Sequence, residues 1–303
     1  MRRLLTGLDV PVVGVAVSGG ADSLALAAAT RQVTRNRVRG LIVDHGLQPG
    51  SAQVAATAKA QLETLGLDEV HVLPVTVRGP GGPEAAARRA RYAALRTEGH
   101  PVLLGHTLDD QAETVLLGLG RGSGPRSIAG MRAIDPPWAR PFLALDRKTT
   151  RAACHALGLT PWDDPHNSDP AFTRVRLRHE VLPLLEKVLQ GGVAEALART
   201  AAQLREDTDA LDAVAHELHH GVRDGKEINV TLLSNAPPAL RRRVLREWLI
   251  ELGVKELTDA HLRTVDALIG EWRGQGGVWL PGGLEASRVH GRLRVSAGTA
   301  ERS

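Results

Sequence analysis

Cysteine is nearly absent, since Cys154 is the only one in 303 residues. That excludes an intramolecular disulfide framework, a zinc site built from several thiolates and a two-cysteine redox relay. Cys154 sits in the helical pattern Ala152-Ala153-Cys154-His155-Ala156-Leu157, which reads as packing rather than as a nucleophile. No run approaches ~18 uninterrupted apolar residues, so no membrane-spanning helix is expected. The opening Met1-Arg2-Arg3-Leu4-Leu5 has a faint look of a secretion signal, but Thr6, Gly7 and Asp9 interrupt it. A cytoplasmic protein free of membrane is the expectation. Internal repeats and low-complexity linkers are lacking. So are the lysine-bearing Walker A loop and the spaced glycines of a dinucleotide fingerprint, two common ways of holding a nucleotide.

What is present is an ordinary folded composition, 43% hydrophobic and 24% charged, in a chain long enough for two domains. The net charge of +4, with Arg far outnumbering Lys, leans weakly towards a polyanionic partner. The first part alternates short apolar runs with helical patterns. Strands are expected at 12–17, 40–44, 70–75 and 101–105, and helices from Asp22, from Ser51 (as a cap) to about Leu65, over 84–96 behind Pro83, and from about Leu108. Continuous apolar strands spaced by helices predict a doubly wound parallel sheet of the α/β class, which binds ligands at the carboxyl ends of its strands. Beyond residue 185 the pattern becomes mainly helical, over 193–219, 238–252 and 258–272, and closes in a short β element. Two domains are therefore expected, residues 1–185 and residues 186–303.

The sharpest local feature is the strand–Ser18-Gly19-Gly20-Ala21-Asp22-Ser23–helix passage. Glycines let backbone N–H groups approach an anion, and a helix N-terminus adds donors and partial positive charge. Ser18 and Ser23 can donate to phosphate oxygens. Asp22 can accept helix N–H bonds or hold a magnesium ion that bridges phosphates. A plain glycine turn between strand and helix is the alternative.

Ala16-Val17-Ser18-Gly19-Gly20-Ala21-Asp22-Ser23 resembles the SGGxDS loop of the PP-loop ATP pyrophosphatases. The resemblance implies an adenine-nucleotide α-hydrolase-like fold and cleavage of ATP between the α- and β-phosphates. A substrate oxygen is adenylated and AMP is then displaced by a nucleophile. Four further segments resemble the tRNA(Ile)-lysidine synthetases within that superfamily. They are Val43-Asp44-His45-Gly46-Leu47, the helix Glu84-Ala85-Ala86-Ala87-Arg88 with Arg91-Tyr92, the block from Leu104-Gly105-His106 through Asp109-Asp110-Gln111-Ala112-Glu113-Thr114 to Arg121-Gly122-Ser123-Gly124, and Trp162 to Asn167 followed by Arg174-Val175-Arg176-Leu177-Arg178. Thr107 stands where that family commonly has a second His, His166 where Ser is usual and Val175 where Asn is usual. Sulfur transfer, the chemistry of another branch, needs paired cysteines or an iron–sulfur cluster, which a lone Cys154 does not supply.

The resemblance implies ligation of L-lysine to C2 of the wobble cytidine in isoleucine tRNA with a CAU anticodon, through an adenylated cytidine. Catalytic roles are expected for Asp22, Asp109, Asp110 and Arg121. ATP is expected on Ser18, Gly19, Gly20, Ala21, Asp22, Ser23, His45, Gly105 and His106, with Mg2+ on Asp22. Glu113, Arg88, Arg174, Arg176, Arg178, Arg241 and Arg242 are expected to meet tRNA or lysine. Asp109 and Asp110 share a helix face with Glu113 and can equally be ordinary acidic decoration of a helix start. Arg241-Arg242-Arg243 with Arg246 can equally be a solvated face. Trp248, Trp272 and Trp279 read as core or interface. Homodimer formation is left open. Two other functions fit parts of the pattern: a PP-loop amide synthetase acting on a small carboxylate, and a basic RNA-binding module whose phosphate loop is vestigial.

Overall fold

The structure is a computed structural model that describes residues 4–5, 10–46, 48, 50–79, 82–122 and 124–298, without the side chains of Pro83 and Glu84. Met1 to Arg3, Leu47 and Ser123, each named above, lie outside the described residues. The chain divides into two compact units, residues 1–120 with 130–201 and residues 121–129 with 202–303. By packing, the first unit runs on to residue 201, inside a long helix, and the short segment 121–129 goes with the second unit.

In the first unit β1 (Val12–Val17), α1 (Ala21–Val33), β2 (Arg37–Asp44), α2 (Ser51–Thr64), β3 (Glu69–Pro74), α3 (Gly82–Arg96), β4 (Val102–Leu103) and α4 (Leu108–Gly120) follow in the expected alternation. In the second unit's segment 121–129 lies α5 (Pro125–Ile128). The first unit resumes with β5 (Ile134–Asp135), β6 (Trp138–Ala139) and α6 (Arg147–Ala156). The sheet order is β3-β2-β1-β4-β6-β5, all parallel except the antiparallel edge strand β5. Because β1 lies between β2 and β4, the chain reverses its direction of sheet growth beside β1, and a crevice opens there.

Alternation along β1 sends Val13, Val15 and Val17 to one face, where they pack with Leu24, Leu26, Leu62 and Cys154 from α1, α2 and α6. The other face is closed by Leu41, Leu95, Val102, Leu104 and Trp138, with Tyr92 of α3 edge-on to Trp138 at 4.9 Å. Helices thus cover both faces, and Cys154 is a core residue, as its neighbours in sequence suggested. Ser51 is the first residue of α2 rather than its cap: Gly50, at φ +84°, occupies the cap position. Beyond α6, a single 3-10 turn (Pro165–Ser168) leads to α7 (Thr173–Arg176), a π-helical turn (Leu177–Val181) and α8 (Leu182–Val188).

The 30-residue α9 (Val193–Val222) leads into the second unit. It is followed by β7 (Arg223–Asp224), β8 (Glu227–Asn229), α10 (Val230–Ser234), α11 (Pro238–Glu251), α12 (Asp259–Gly270), β9 (Val278–Leu280), β10 (Leu284–Val289) and β11 (Arg292–Ala297). Thr258 caps α12 through a capping box with His261. The closing β element is larger than the sequence indicated: a five-stranded sheet, β7-β8-β11-β10-β9, recruits a hairpin that turns at Gly225. Its core gathers Leu245, Trp248, Leu249, Leu268, Ile228 and Leu293. Trp248 is fully buried and donates to the Lys226 carbonyl at 2.9 Å, whereas Trp279 is exposed. Among the described residues no helix is long and apolar enough to cross a membrane.

Candidate active site

A cleft of about 980 Å³ opens at the carboxyl ends of β1, β2 and β4. Its floor is the loop between β1 and α1. Gly19 adopts φ +86°, a left-handed conformation that a side chain disfavours. The Ser23 hydroxyl donates to the Gly20 carbonyl at 2.9 Å and accepts from the Ser18 amide at 3.2 Å. The first helical bond of α1 runs from the Leu24 amide to the Gly20 carbonyl. The amides of Ala21, Asp22 and Ser23 therefore precede the helix ladder, and this is the position in which helix N-terminal amides receive anions. Gly105, at the end of β4, backs the loop: a Cβ there would lie 3.1 Å from the Asp22 carbonyl carbon and oxygen. The Trp162 amide donates to the Gly19 carbonyl at 3.0 Å and ties the 162–168 segment to the same loop.

Beside the loop lies a cluster of four acids and three arginines. Arg147, the first residue of α6, donates from Nε to Asp22 at 3.1 Å and from Nη2 to Asp110 at 2.6 Å, and its Nη1 lies 4.0 Å from Glu113. The Arg147 amide donates to Asp109 at 2.9 Å. Arg178 donates to Glu113 at 2.7 Å and lies 3.6 Å from Asp110, and Arg174 is 3.6 Å from Glu113. The Thr150 hydroxyl bonds Asp22, and Thr107 donates to Asp110 from its amide at 2.9 Å and its hydroxyl at 3.1 Å. The threonine that departs from the family pattern at 107 thus serves as the anchor of Asp110.

Burial pushes the Asp110 carboxyl up, but Arg147, the Thr107 amide, His106 and Arg178 outweigh it and hold Asp110 below the usual carboxylate range. Asp22 and Glu113 go the other way. Their burial raises them, and the Thr150 and Arg147 contacts of Asp22 and the Arg178 contact of Glu113 only partly offset it. Burial pulls the His106 imidazole down from 6.5 to about 3, opposed by Asp110 and reinforced by Arg91, so it is neutral at physiological pH. His45 is lowered by burial and by Arg91. Both histidines line the cleft, and the Nδ1 of each is buried without a partner among the described residues, which leaves it for a polar atom of a ligand.

The structure brings Ser18, Gly20, Ala21, Asp22, Ser23, His45, Gly105, His106, Asp109, Asp110 and Arg178 to one cleft, with Gly19 in the same loop. Other expected residues do other things. Glu113 is fully buried under Arg178, Arg174 and Arg147 and is engaged with those arginines. Arg174 supports it from outside the cleft lining. Arg176 is exposed and pairs along its own helix with Glu180 at 3.2 Å. Arg88 is exposed over the Tyr92 ring at 4.9 Å, while its neighbour Arg91, to which no role was given, lines the cleft. Arg121 is exposed in the 121–129 segment, which belongs to the second unit. Arg241 is mostly buried in a paired bond to Asp266 at 2.7 and 3.2 Å, and Arg242 lies 3.6 Å from the same carboxylate. Arg241 is thus a packing residue of the second unit rather than a free cation for RNA. Arg147 escaped sequence reasoning altogether. Its signal was there: a cation as the first residue of a helix opposes the macrodipole, and Asp146 marks that helix start as its cap.

Comparison with known proteins agrees with this geometry. Residues 2–185 match the PP-loop domain family, and residues 229–294 match the TilS substrate binding domain. The tRNA(Ile)-lysidine synthase of Nocardia farcinica is 60% identical over 292 residues, covering 94% of this chain and 92% of that protein. The tRNA(Ile)-lysidine synthase of Rhodococcus erythropolis is 61% identical, covering 93% and 88%. Among solved structures, the U34-tRNA thiolase NcsA from Methanococcus maripaludis superposes with a TM-score of 0.53 at 18% identity, over 64% of this chain and 72% of that one, a likeness of fold alone. With PP-loop, acidic–arginine cluster and both domain matches in one chain, this protein belongs to the tRNA(Ile)-lysidine synthase family.

Proposed function

We propose that the chain uses ATP to form lysidine on the CAU-anticodon isoleucine tRNA, in the cytoplasm, with the cleft of the first unit as its active site. The C2 oxygen of the wobble cytidine attacks the α-phosphate of ATP and pyrophosphate leaves. The ε-amine of free L-lysine then attacks C2, and AMP departs. No nucleophile from the protein is needed, so its work is to position reactants and to neutralise growing negative charge. The observation that carries the reading is the juxtaposition of the α1 amides and Ser18 and Ser23 with the Arg147–Asp22–Asp110 network in one cleft.

In this mechanism the loop from Ser18 to Ser23 grips the departing diphosphate, and Arg147 and Arg178 add positive charge on one side. His45 and His106 offer neutral imidazole nitrogens to the nucleoside. Asp110 is committed on both oxygens to Thr107 and Arg147. Among the described residues Asp109 holds the Arg147 amide on one oxygen, and its other oxygen is the best placed of the group to hold the lysine ammonium and accept the proton that makes it nucleophilic. Asp22, beside the phosphate loop, would hold magnesium in the way phosphate sites commonly use it, with one carboxylate and the phosphates as ligands, by giving up the Thr150 or the Arg147 bond that each of its oxygens takes. Such an ion would supply charge neutralisation on the phosphates.

Incubation of the purified chain with ATP, labelled lysine and unmodified isoleucine tRNA is expected to give labelled tRNA, AMP and pyrophosphate, with one cytidine heavier by one lysine residue. Label in a small amide instead would favour an amide synthetase. Binding of tRNA without pyrophosphate release would favour a vestigial loop.

A further inference from the structure

The second unit holds a cluster for which the lysidine reaction has no use. His216, His219 and His220 stand three and four apart on α9, and Glu247 and Glu251 stand one turn apart on α11, so each set shares a helix face. His219 is fully buried, and among the described residues neither of its ring nitrogens has a hydrogen-bond partner. A neutral imidazole always carries one N–H, so the ring is left with an unmet polar group in the interior. Its Nδ1 is aimed at the two carboxylates, 3.6 Å from Glu247 Oε1 and 4.0 Å from Glu251 Oε1, too far for hydrogen bonds.

Those separations suit an ion. Metal–ligand bonds of about 2.0–2.2 Å in a tetrahedron set neighbouring ligand atoms about 3.3–3.6 Å apart. The ligand atoms of His219, Glu247 and Glu251 all lie within 4.8 Å of one another, so rotation of the two glutamate side chains by about 1–1.5 Å in all completes the geometry. Both carboxylates already have outer partners that orient them. His216 Nδ1 bonds Glu247 Oε1 at 2.5 Å, Arg223 Nη1 lies 3.0 Å from Glu251 Oε2, and His220 Nε2 lies 3.1 Å from His216 Nε2. Glu247 and Glu251 also line a cavity of about 250 Å³, together with Asp212 and with Arg126, Arg243 and Arg246, which leaves room for a water on the carboxylate side.

We propose that His219, Glu247 and Glu251 bind a zinc-class divalent cation that pins α9 to α11. An imidazole nitrogen with two carboxylates suits zinc, cobalt or nickel rather than magnesium or calcium, which take oxygen donors. The site is separate from the ATP cleft and stands whether or not lysidine formation is the activity.

The test uses the untagged full chain, stripped with a chelator and titrated with zinc sulfate in excess magnesium by calorimetry. One equivalent is expected to bind, with a rise in melting temperature that grows with free zinc. The isosteric pair Glu247→Gln and Glu251→Gln is expected to weaken binding by more than the roughly 10- to 100-fold that loss of an outer partner costs. Independently of any variant, cobalt added to the stripped protein is expected to give the intense visible bands of a four-coordinate site. Zinc uptake that is not stoichiometric, affinity unchanged in the Gln pair, or a cobalt spectrum like that of the hydrated ion would each overturn the proposal.

Discussion

Replacing Arg147 with methionine keeps the length of the side chain and removes a guanidinium that holds Asp22, Asp110 and, at longer range, Glu113. Arg147 itself is four-fifths buried, and Asp22 and Asp110 are similarly enclosed, so solvent replaces the lost cation poorly. Removing one partner of a buried ionic group costs about 3–5 kcal/mol, and that range is the expected destabilisation near neutral pH. The pH dependence follows from the carboxyls. In the parent, Asp110 is lowered, so its stabilising contribution is in place above its unfolded value of 3.8 and fades as pH falls below it. Asp22 and Glu113 are raised, so folding favours their protonated forms, and that advantage is lost as pH rises through their folded values. Arg147 lowers all three, and without it all three rise. Each unit of rise is worth about 1.4 kcal/mol against the ionised form. Urea unfolding should therefore show a deficit that is greatest near about pH 7.5 and shrinks by ~1–2 kcal/mol towards about pH 5. Adding Asp110→Asn to Arg147→Met should recover at least ~1 kcal/mol relative to the sum of the single changes. A deficit below ~1 kcal/mol at neutral pH, or one indifferent to acid, would refute the reading of Arg147 as the keystone cation.

Three further outcomes are expected. Gly105→Ala places a methyl 3.1 Å from the Asp22 backbone and should displace the phosphate loop, raising KM for ATP about tenfold or more in a pyrophosphate-release assay, a shift of ~1.4 kcal/mol. Asp109→Asn should leave pyrophosphate release largely intact while slowing lysine transfer by about 10²- to 10⁴-fold, so that adenylated tRNA accumulates and is visible by mass spectrometry; equal loss of both steps would remove Asp109 from the second step. Burial raises the Cys154 thiol and encloses it, so alkylating reagents should spare the native protein and label one thiol in urea, and Cys154→Ala should retain activity.

The phosphate loop was legible because every ingredient is local: the β1 apolar run, two glycines, the serines and the start of α1 lie within a dozen residues. The alternation of strands and helices was legible for the same reason, down to the bounds of β1. What lay hidden depended on partners distant in sequence. Arg241 reads as one of a basic stripe on a helix, yet Asp266, 25 positions later, takes it out of solvent. Glu113 reads as the third acid of a helix start, yet arginines at 174 and 178 cover it completely. Arg88 and Arg91 differ by less than one helical turn, and it takes the packed helix, with Tyr92 edge-on to Trp138, to show that Arg91 is the one lining the cleft. The β7–β8 hairpin was missed although Asp224-Gly225 is a turn signal, because it follows a long helix without a break in composition. Strands β5 and β6 are two residues each, too short to show a period.

The acid–arginine network joins Asp22 to Arg147 across 125 positions and Glu113 to Arg178 across 65. A growing polypeptide therefore makes its phosphate loop early but cannot balance the charges around it until residue 178 has been synthesised and has docked. Until residue 147 is made, Asp22 and Asp110 lack the guanidinium that spans them, and until residue 178 is made Glu113 lacks its hydrogen-bonded arginine. Completion of this charge balance is in this sense a late event in biosynthesis.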